Sequence, residues 1–195
     1  TRNLTLIVIV GLILLLGGCG CSKYNGLVTS DQSVKSAWSN VETNYQRRTD
    51  LYSSVVKTIE GSANFEKSTL KDVIAARASA TQVKVDINDP ASLAKYQAAQ
   101  GQLQSAFGRL MAVAEAYPDL KTTKSFQDFQ QQIEGTENRI NVARRDYNTA
   151  VNAYNLNVKT FPNNLFAGMF GFKEKAYYQA DAGSEKNPDI KFNIK

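Results

Sequence analysis

One spacing repeats along four stretches of this chain, and it leaves few folds open. Val34, Trp38, Val41, Tyr45, Arg48, Tyr52, Val55 and Ile59 recur at intervals of four and three. That alternation keeps one stripe of a helix turned toward a partner. A second stretch, about residues 65–87, carries Leu70, Ile74, Arg77, Ala80 and Val83 or Lys84 near one stripe, with Ala75, Ala76 and Ala78 allowing close approach. Leu93, Tyr96, Gln100, Leu103, Phe107, Leu110, Ala114 and Tyr117 form the third, closed by Pro118. The fourth and longest holds Phe126, Phe129, Ile133, Thr136, Ile140, Ala143, Tyr147, Ala150, Tyr154 and Val158, and ends at Phe161-Pro162.

Boundary signals divide these stretches. Ser30-Asp31 offers an N-cap, Gly61 a stop, and Asn88-Asp89-Pro90 a stop, a cap and a first-turn proline. With short links and no strand-like alternation, the expected fold is all-α: an up-and-down antiparallel four-helix bundle behind an N-terminal membrane helix. The alternative is that Pro90 only kinks one long helix, leaving three rods. In either case unequal helix lengths are expected to leave apolar stripe uncovered near Ile59 and Val158.

The N-terminus carries a different pattern. Leu4 to Gly18 is an uninterrupted apolar run of fifteen residues, and the uncharged stretch extends from Asn3 to Ser22. At about 1.5 Å per residue the longer stretch crosses a hydrocarbon core of about 30 Å. Leu16-Gly17-Gly18-Cys19 also resembles the lipobox that precedes a lipid-modified cysteine, which makes Cys19 a lipidation candidate and residues 1–24 either an anchor or a lipoprotein signal. Length and flanking residues favour the retained span, with the body on the non-cytoplasmic side. Tyr24-Asn25-Gly26 reads as an interfacial turn, Tyr24 taking the aromatic-belt position. The domain plan is therefore anchor 1–24, bundle 25–161 and tail 162–195.

Composition narrows the chemistry. The chain has no histidine, the usual general base and the commonest metal ligand. Its two cysteines lie two residues apart at the end of the apolar run, too close for a zinc-type pair or a disulfide framework. The formal net charge of +5 is dispersed, without a basic run interleaved with aromatics, so nucleic acid is not indicated. No cofactor, metal or catalytic residue is expected.

Tyr24 to Leu51, YNGLVTSDQSVKSAWSNVETNYQRRTDL, resembles the opening of the LemA family of bacterial membrane proteins. LAKYQAAQGQLQSAFGRLMAVAEAYPDLK, QQIEGTENRINVARRDYNTAVNAYN and FPNNLFAGMFGFKEKAYY are similar to its later blocks, in the same order. The resemblance implies a short N-terminal segment, one membrane helix and a long-helix bundle. It implies no reaction, because the family carries no agreed catalytic residues. The departure lies at Gly17 to Cys21, where a lipobox-like cysteine pair replaces plain membrane-helix residues.

Three groups of residues stand out. Arg48 falls on an apolar stripe, and the expectation is a structural charge paired with a carboxylate on a neighbouring helix. Glu134, Glu137, Arg139, Arg144, Arg145 and Asp146 crowd one helix; without histidine a carboxylate metal site is disfavoured, and helix-surface salt bridges account for the run better. Phe166, Met169, Phe170, Phe172, Tyr177 and Tyr178 sit among glycines and asparagines without a sustained period. They either fold back to cap the bundle or form an apolar docking patch for another subunit, a partner or the membrane surface. Beyond Ala182 the composition predicts disorder.

Two function classes follow. One is a non-enzymatic, membrane-anchored scaffold or adaptor acting through protein contacts and associating with copies of itself or another membrane protein. The other is an enzyme or small-molecule binder with a pocket between helices lined by Arg48, Arg77, Tyr45 and Tyr96. A dry interior supports the first and a polar cavity the second.

Overall fold

The computed structural model describes residues 2–60 and 67–179; side chains of residues 2–10 and 12–19 lie outside the described part. All described regular structure is helical: α1 (Arg2–Glu60), α2 (Lys67–Gln82), α3 (Pro90–Ala114), α4 (Pro118–Lys121), α5 (Lys124–Lys159) and α6 (Asn163–Phe170). No helix among the described residues is long and apolar enough to cross a membrane. The side chains of Leu4 to Gly18 and of Cys19, on which the anchor and the lipidation expectations rest, lie outside them. So do Gly61 and the tail beyond Gln179.

Residue contacts fix the directions of the long helices. α1 runs antiparallel to α5, as Asn157 meets Gly26, Arg144 meets Tyr45 and Glu137 meets Arg48 in reversed order. Tyr96, Gln100 and Phe107 of α3 meet Tyr45, Arg48 and Tyr52 of α1 in the same order, so these two are parallel. α2 pairs closely with α3, and α6 with both α1 and α5. Two apolar clusters result. One joins Leu27, Val34, Trp38 and Val41 to Ile140, Tyr147, Val151 and Tyr154. The other joins Tyr52, Val55 and Ile59 to Leu70, Val73, Leu103, Phe107, Leu110 and Phe126.

Pro90 breaks the chain into two helices. It occupies the first turn of α3, and the Asp89 carboxylate accepts the Ala91 N–H at 2.9 Å. The ring has no N–H to lose there, and the cap satisfies one of the free donors behind it. Thr123 caps α5 in the same way through the Phe126 N–H.

Four expectations need correction. Tyr24-Asn25-Gly26 is not a turn, because α1 passes through it unbroken. Buried Leu27 fixes this part of the helix from within, which outweighs the roughly 1 kcal/mol a helical glycine costs. Ser30-Asp31 is consequently no N-cap: the Ser30 hydroxyl donates to the Leu27 carbonyl. On α2 the buried stripe is Leu70, Val73 and Ala80, while Ile74 and Arg77 are exposed. Ile59 and Val158 are not left uncovered either, since each is buried in one of the two clusters.

Candidate functional site

Arg48 is fully buried at the junction of α1, α3 and α5. One terminal nitrogen donates to the Gln100 side-chain oxygen at 2.7 Å and to the Gln100 carbonyl at 3.1 Å; the other donates to Glu137 at 3.3 Å. The Tyr45 and Tyr52 rings stand 4.7 and 5.7 Å from the guanidinium carbon, so its faces rest on π-systems. The expected carboxylate partner on another helix is therefore present. The amide of Gln100, which the spacing placed on the α3 stripe as a plain core position, carries the closer contact.

Arg48, Tyr45 and Tyr96 do come together, with Tyr45 edge-on to Tyr96 at 5.5 Å. They pack against one another between the helices, and beside them a cavity of 280 Å³ opens between α3 and α5, lined by Tyr52, Phe107, Ile133 and Glu137. Trp38 packs edge-on against both Tyr96 and Tyr147. Arg77 stands apart, on an open groove of 210 Å³ with Val56, Lys57, Glu60 and Ile74. Burial drives the Tyr52 and Tyr96 hydroxyls far above the ordinary value of 10.0, and Tyr147 up to about 12. These phenols stay neutral at any physiological pH, so they serve as hydrogen-bonding core residues.

Two of the six crowded charges of α5 turn inward, while Glu134, Arg139, Arg145 and Asp146 are exposed. Glu137 faces Arg48 and accepts the Tyr52 hydroxyl, while the Arg144 Nε donates to the Tyr45 hydroxyl at 2.8 Å. The arginine lies over the Tyr178 ring at 4.6 Å, and the Tyr45 and Tyr178 hydroxyls are 2.5 Å apart. These two residues thus serve the interior, where surface salt bridges were expected. No cluster able to hold a metal occurs among the described residues.

The tail folds back along α5, and its attachment is the feature that the sequence reading missed. Asn155 donates its amide to the Lys175 carbonyl at 3.0 Å and accepts the Lys175 N–H at 2.9 Å. One turn pair earlier, Asn148 holds the Tyr178 carbonyl and N–H in the same two-point manner, at 2.9 and 2.8 Å. Between them the Tyr177 hydroxyl reaches Asn152, and the Tyr147 hydroxyl donates to the Ala176 carbonyl. A tail segment outside regular structure has unpaired backbone groups, and α5 supplies side-chain amides to meet them. The signal was visible in NTAVNAYNLN: Asn148, Asn152 and Asn155 recur at four and three, though asparagine is a poor helix former.

Lys175 then fastens the tail to the rest of the molecule. Its buried ammonium contacts Asp31 of α1 at 2.8 Å and the Asn88 side chain before α3 at 2.8 Å, and it lies 5.0 Å from the Tyr154 ring centre. Burial alone would raise the Asp31 pKa, but hydrogen bonds and charges from Lys175 and Lys35 outweigh it and hold the carboxyl below its ordinary value.

The aromatic tail residues divide between the two readings given them. Tyr178 is buried, and Phe166 and Phe172 pack on the core that includes Leu27 and Val158, so these three cap the bundle. Met169, Phe170 and Tyr177 are exposed, as are Phe161 and Leu165. Tyr24 packs edge-on against Phe170 and Phe172, with ring centres 4.9 and 6.0 Å away. Cys21 is a free, exposed thiol three residues before it.

Several known proteins are similar to this chain in sequence. Magnetosome protein MamQ 2 of Paramagnetospirillum magneticum is 29% identical over 178 residues, which cover 80% of this chain and 65% of that protein. Magnetosome protein MamQ of Magnetospirillum gryphiswaldense is 24% identical over 175 residues. Protein LemA of Metamycoplasma hominis is 28% identical over 156 residues, covering 80% of this chain and 68% of that one. The chain thus spans about two thirds of the length of these relatives. The sequence pattern of the LemA family matches residues 37–192, from the middle of α1 through the clasped tail, and the chain belongs to the LemA family.

Proposed function

We propose that this protein is a non-enzymatic scaffold or adaptor, an up-and-down helical bundle held in the bacterial cell membrane by one N-terminal anchor. It acts through protein-protein contacts, including contacts with copies of itself. The observation that carries this reading is the packing of the candidate pocket residues: Arg48, Tyr45 and Tyr96 hydrogen-bond and stack within the core. Relatives named as magnetosome proteins and one named LemA share the same stretch, which fits a module used in more than one setting.

The anchor is the retained Leu4–Cys21 segment, with the bundle on the non-cytoplasmic side. The uncharged length from Asn3 to Ser22, enough to cross a core of about 30 Å, favours this over lipid attachment at Cys19. Intact mass of the membrane-extracted protein decides between them: the retained span gives an unacylated chain that includes the apolar run, whereas a species starting at Cys19 with added acyl mass makes the chain a lipoprotein. Self-association is tested by mass measurement in mild detergent and by co-purification from native membranes. A strictly monomeric chain that brings down no partner would overturn the scaffold reading.

A further inference from the structure

α6 is amphipathic in a way the bundle does not use. Its Ala167 is buried and Phe166 turns inward, but Leu165 and Met169, spaced by four, are 59% and 76% exposed, and Phe161, just before the helix, is 79% exposed. Phe170 adds a fourth exposed apolar side chain at 49%. At roughly 25 cal/mol per Å², leaving such a stripe in water is costly.

The position of the stripe identifies what covers it. A Cβ placed on Gly20 would stand 3.3 Å from Phe166 Cε1, so α6 is seated against α1 at Gly20, two residues beyond the end of the apolar run. The uncharged span that crosses the core ends at Ser22, so at about 1.5 Å per residue Gly20 lies about 3 Å inside that end and Tyr24, which holds Phe170, about 3 Å beyond it. Both heights lie at the boundary between a hydrocarbon core of about 30 Å and its headgroup layer. Charge agrees with height. Residues 160–173 contain no acidic side chain; Lys23, Lys159 and Lys173 flank the aromatic cluster, and the adjoining Glu174 carboxylate is paired with Lys159 at 2.8 Å. A short helix with an apolar stripe, no carboxylates and basic flanks is suited to lie in an anionic bilayer surface.

We propose that α6 is an interfacial helix: Phe161, Leu165 and Met169 insert into the headgroup-acyl boundary of the membrane that holds α1, and so fix the tilt and rotation of the bundle above it. The proposal rests on the anchor reading given above. It turns the open side of the tail from a protein-docking patch into a second lipid contact.

The test uses the full chain in vesicles of phosphatidylcholine and phosphatidylglycerol, with and without lipids brominated near the glycerol end of the acyl chain. Trp38 is the one native tryptophan, buried in the core about 30 Å along α1 from Gly18, and serves as the internal baseline. Met169→Trp and, independently, Leu165→Trp add a reporter on the stripe. Ile74→Trp adds one at an exposed site on α2. The expected result is blue-shifted emission and several-fold stronger bromine quenching for both α6 reporters than for Trp38, with Ile74→Trp red-shifted and unquenched. Unquenched, red-shifted α6 reporters in vesicles that keep the chain through an alkaline carbonate wash would overturn the inference while leaving the anchor intact. Blue-shifted but unquenched reporters would show that a second protein copy covers the stripe, which also overturns it. Release of the chain by carbonate would instead remove the anchor reading, and this one with it.

Discussion

Replacing Arg48 by alanine and by methionine separates the two ways this residue holds the bundle. Alanine removes the guanidinium and the stem that fills the space between Tyr45 and Tyr52. Emptying a buried site of this size costs about 2–5 kcal/mol. It also strips the Gln100 side-chain oxygen of its 2.7 Å donor in a residue only 4% exposed, and an orphaned buried acceptor costs about 1–3 kcal/mol. Against these stands the relief of a buried charge, worth several kcal/mol in the other direction. Glu137 adds little, because its side chain is 28% exposed and regains water when the arginine leaves. The expected net loss for Arg48→Ala is about 3 kcal/mol, which lowers Tm by about 6–12 °C in a chain of this size.

Methionine keeps most of the packing and also removes the desolvated charge, including the buried Nε that has no hydrogen-bond partner among the described residues. Arg48→Met should therefore fall within about 1 kcal/mol of the native chain. Urea melts of the detergent-solubilised protein measure both, and a double-mutant cycle with Glu137→Gln isolates the ion pair, whose coupling should stay below about 1 kcal/mol at this exposure. Equal losses for alanine and methionine would refute the packing argument and make the charge itself indispensable. An unchanged melt in both variants would move Arg48 from a structural to a functional role.

The tail clasp and its ion pair yield two more expectations. Asn155→Ala, which leaves the Lys175 N–H and carbonyl without partners, should cost about 2–3 kcal/mol and speed amide exchange at residues 175–178, whereas Asn152→Ala, holding only an exposed tyrosine hydroxyl, should cost less than about 0.5 kcal/mol; equal exchange in the two variants would mean that the clasp does not depend on its paired amides. Asp31 has a folded-state pKa below its ordinary value of 3.8, so its charge stabilises the fold above that value and the contribution fades as pH falls through 3.8 toward the lower folded value. Asp31→Asn should therefore be less stable than the native chain near neutral pH, with the gap closing in acid; a gap that persists unchanged at about pH 3 would remove Asp31–Lys175 as its source.

The long helices were legible because their stripes are long. Every apolar position read between Val34 and Ile59 is buried, and so is each read between Leu93 and Ala114. Over such lengths a single period dominates any local preference. Asp89-Pro90 was legible for a different reason, since cap and proline chemistry is local and needs no partner. α2 was read one position wrong because its alanines weaken the contrast between faces, and Ile74 looked as apolar as Val73. α6 spans only eight residues, too short for a period to emerge.

What the sequence hid most completely was the use made of polar residues. Ser30-Asp31 carries the chemistry of an N-cap, yet inside an unbroken α1 those side chains are free for other partners, and Asp31 receives the ammonium of Lys175 from the far end of the chain. The same reassignment applies to Asn148 and Asn155, which weaken α5 locally and recover that cost by pairing with tail backbone that has no other partner. The two facts are linked. A cap at Ser30 would start the helix there and detach it from Gly20 and Tyr24, the residues on which Phe166 and Phe170 rest. Continuity of α1 through Tyr24-Asn25-Gly26 therefore places the tail, and the tail in turn covers the face of α1 that makes this continuity favourable.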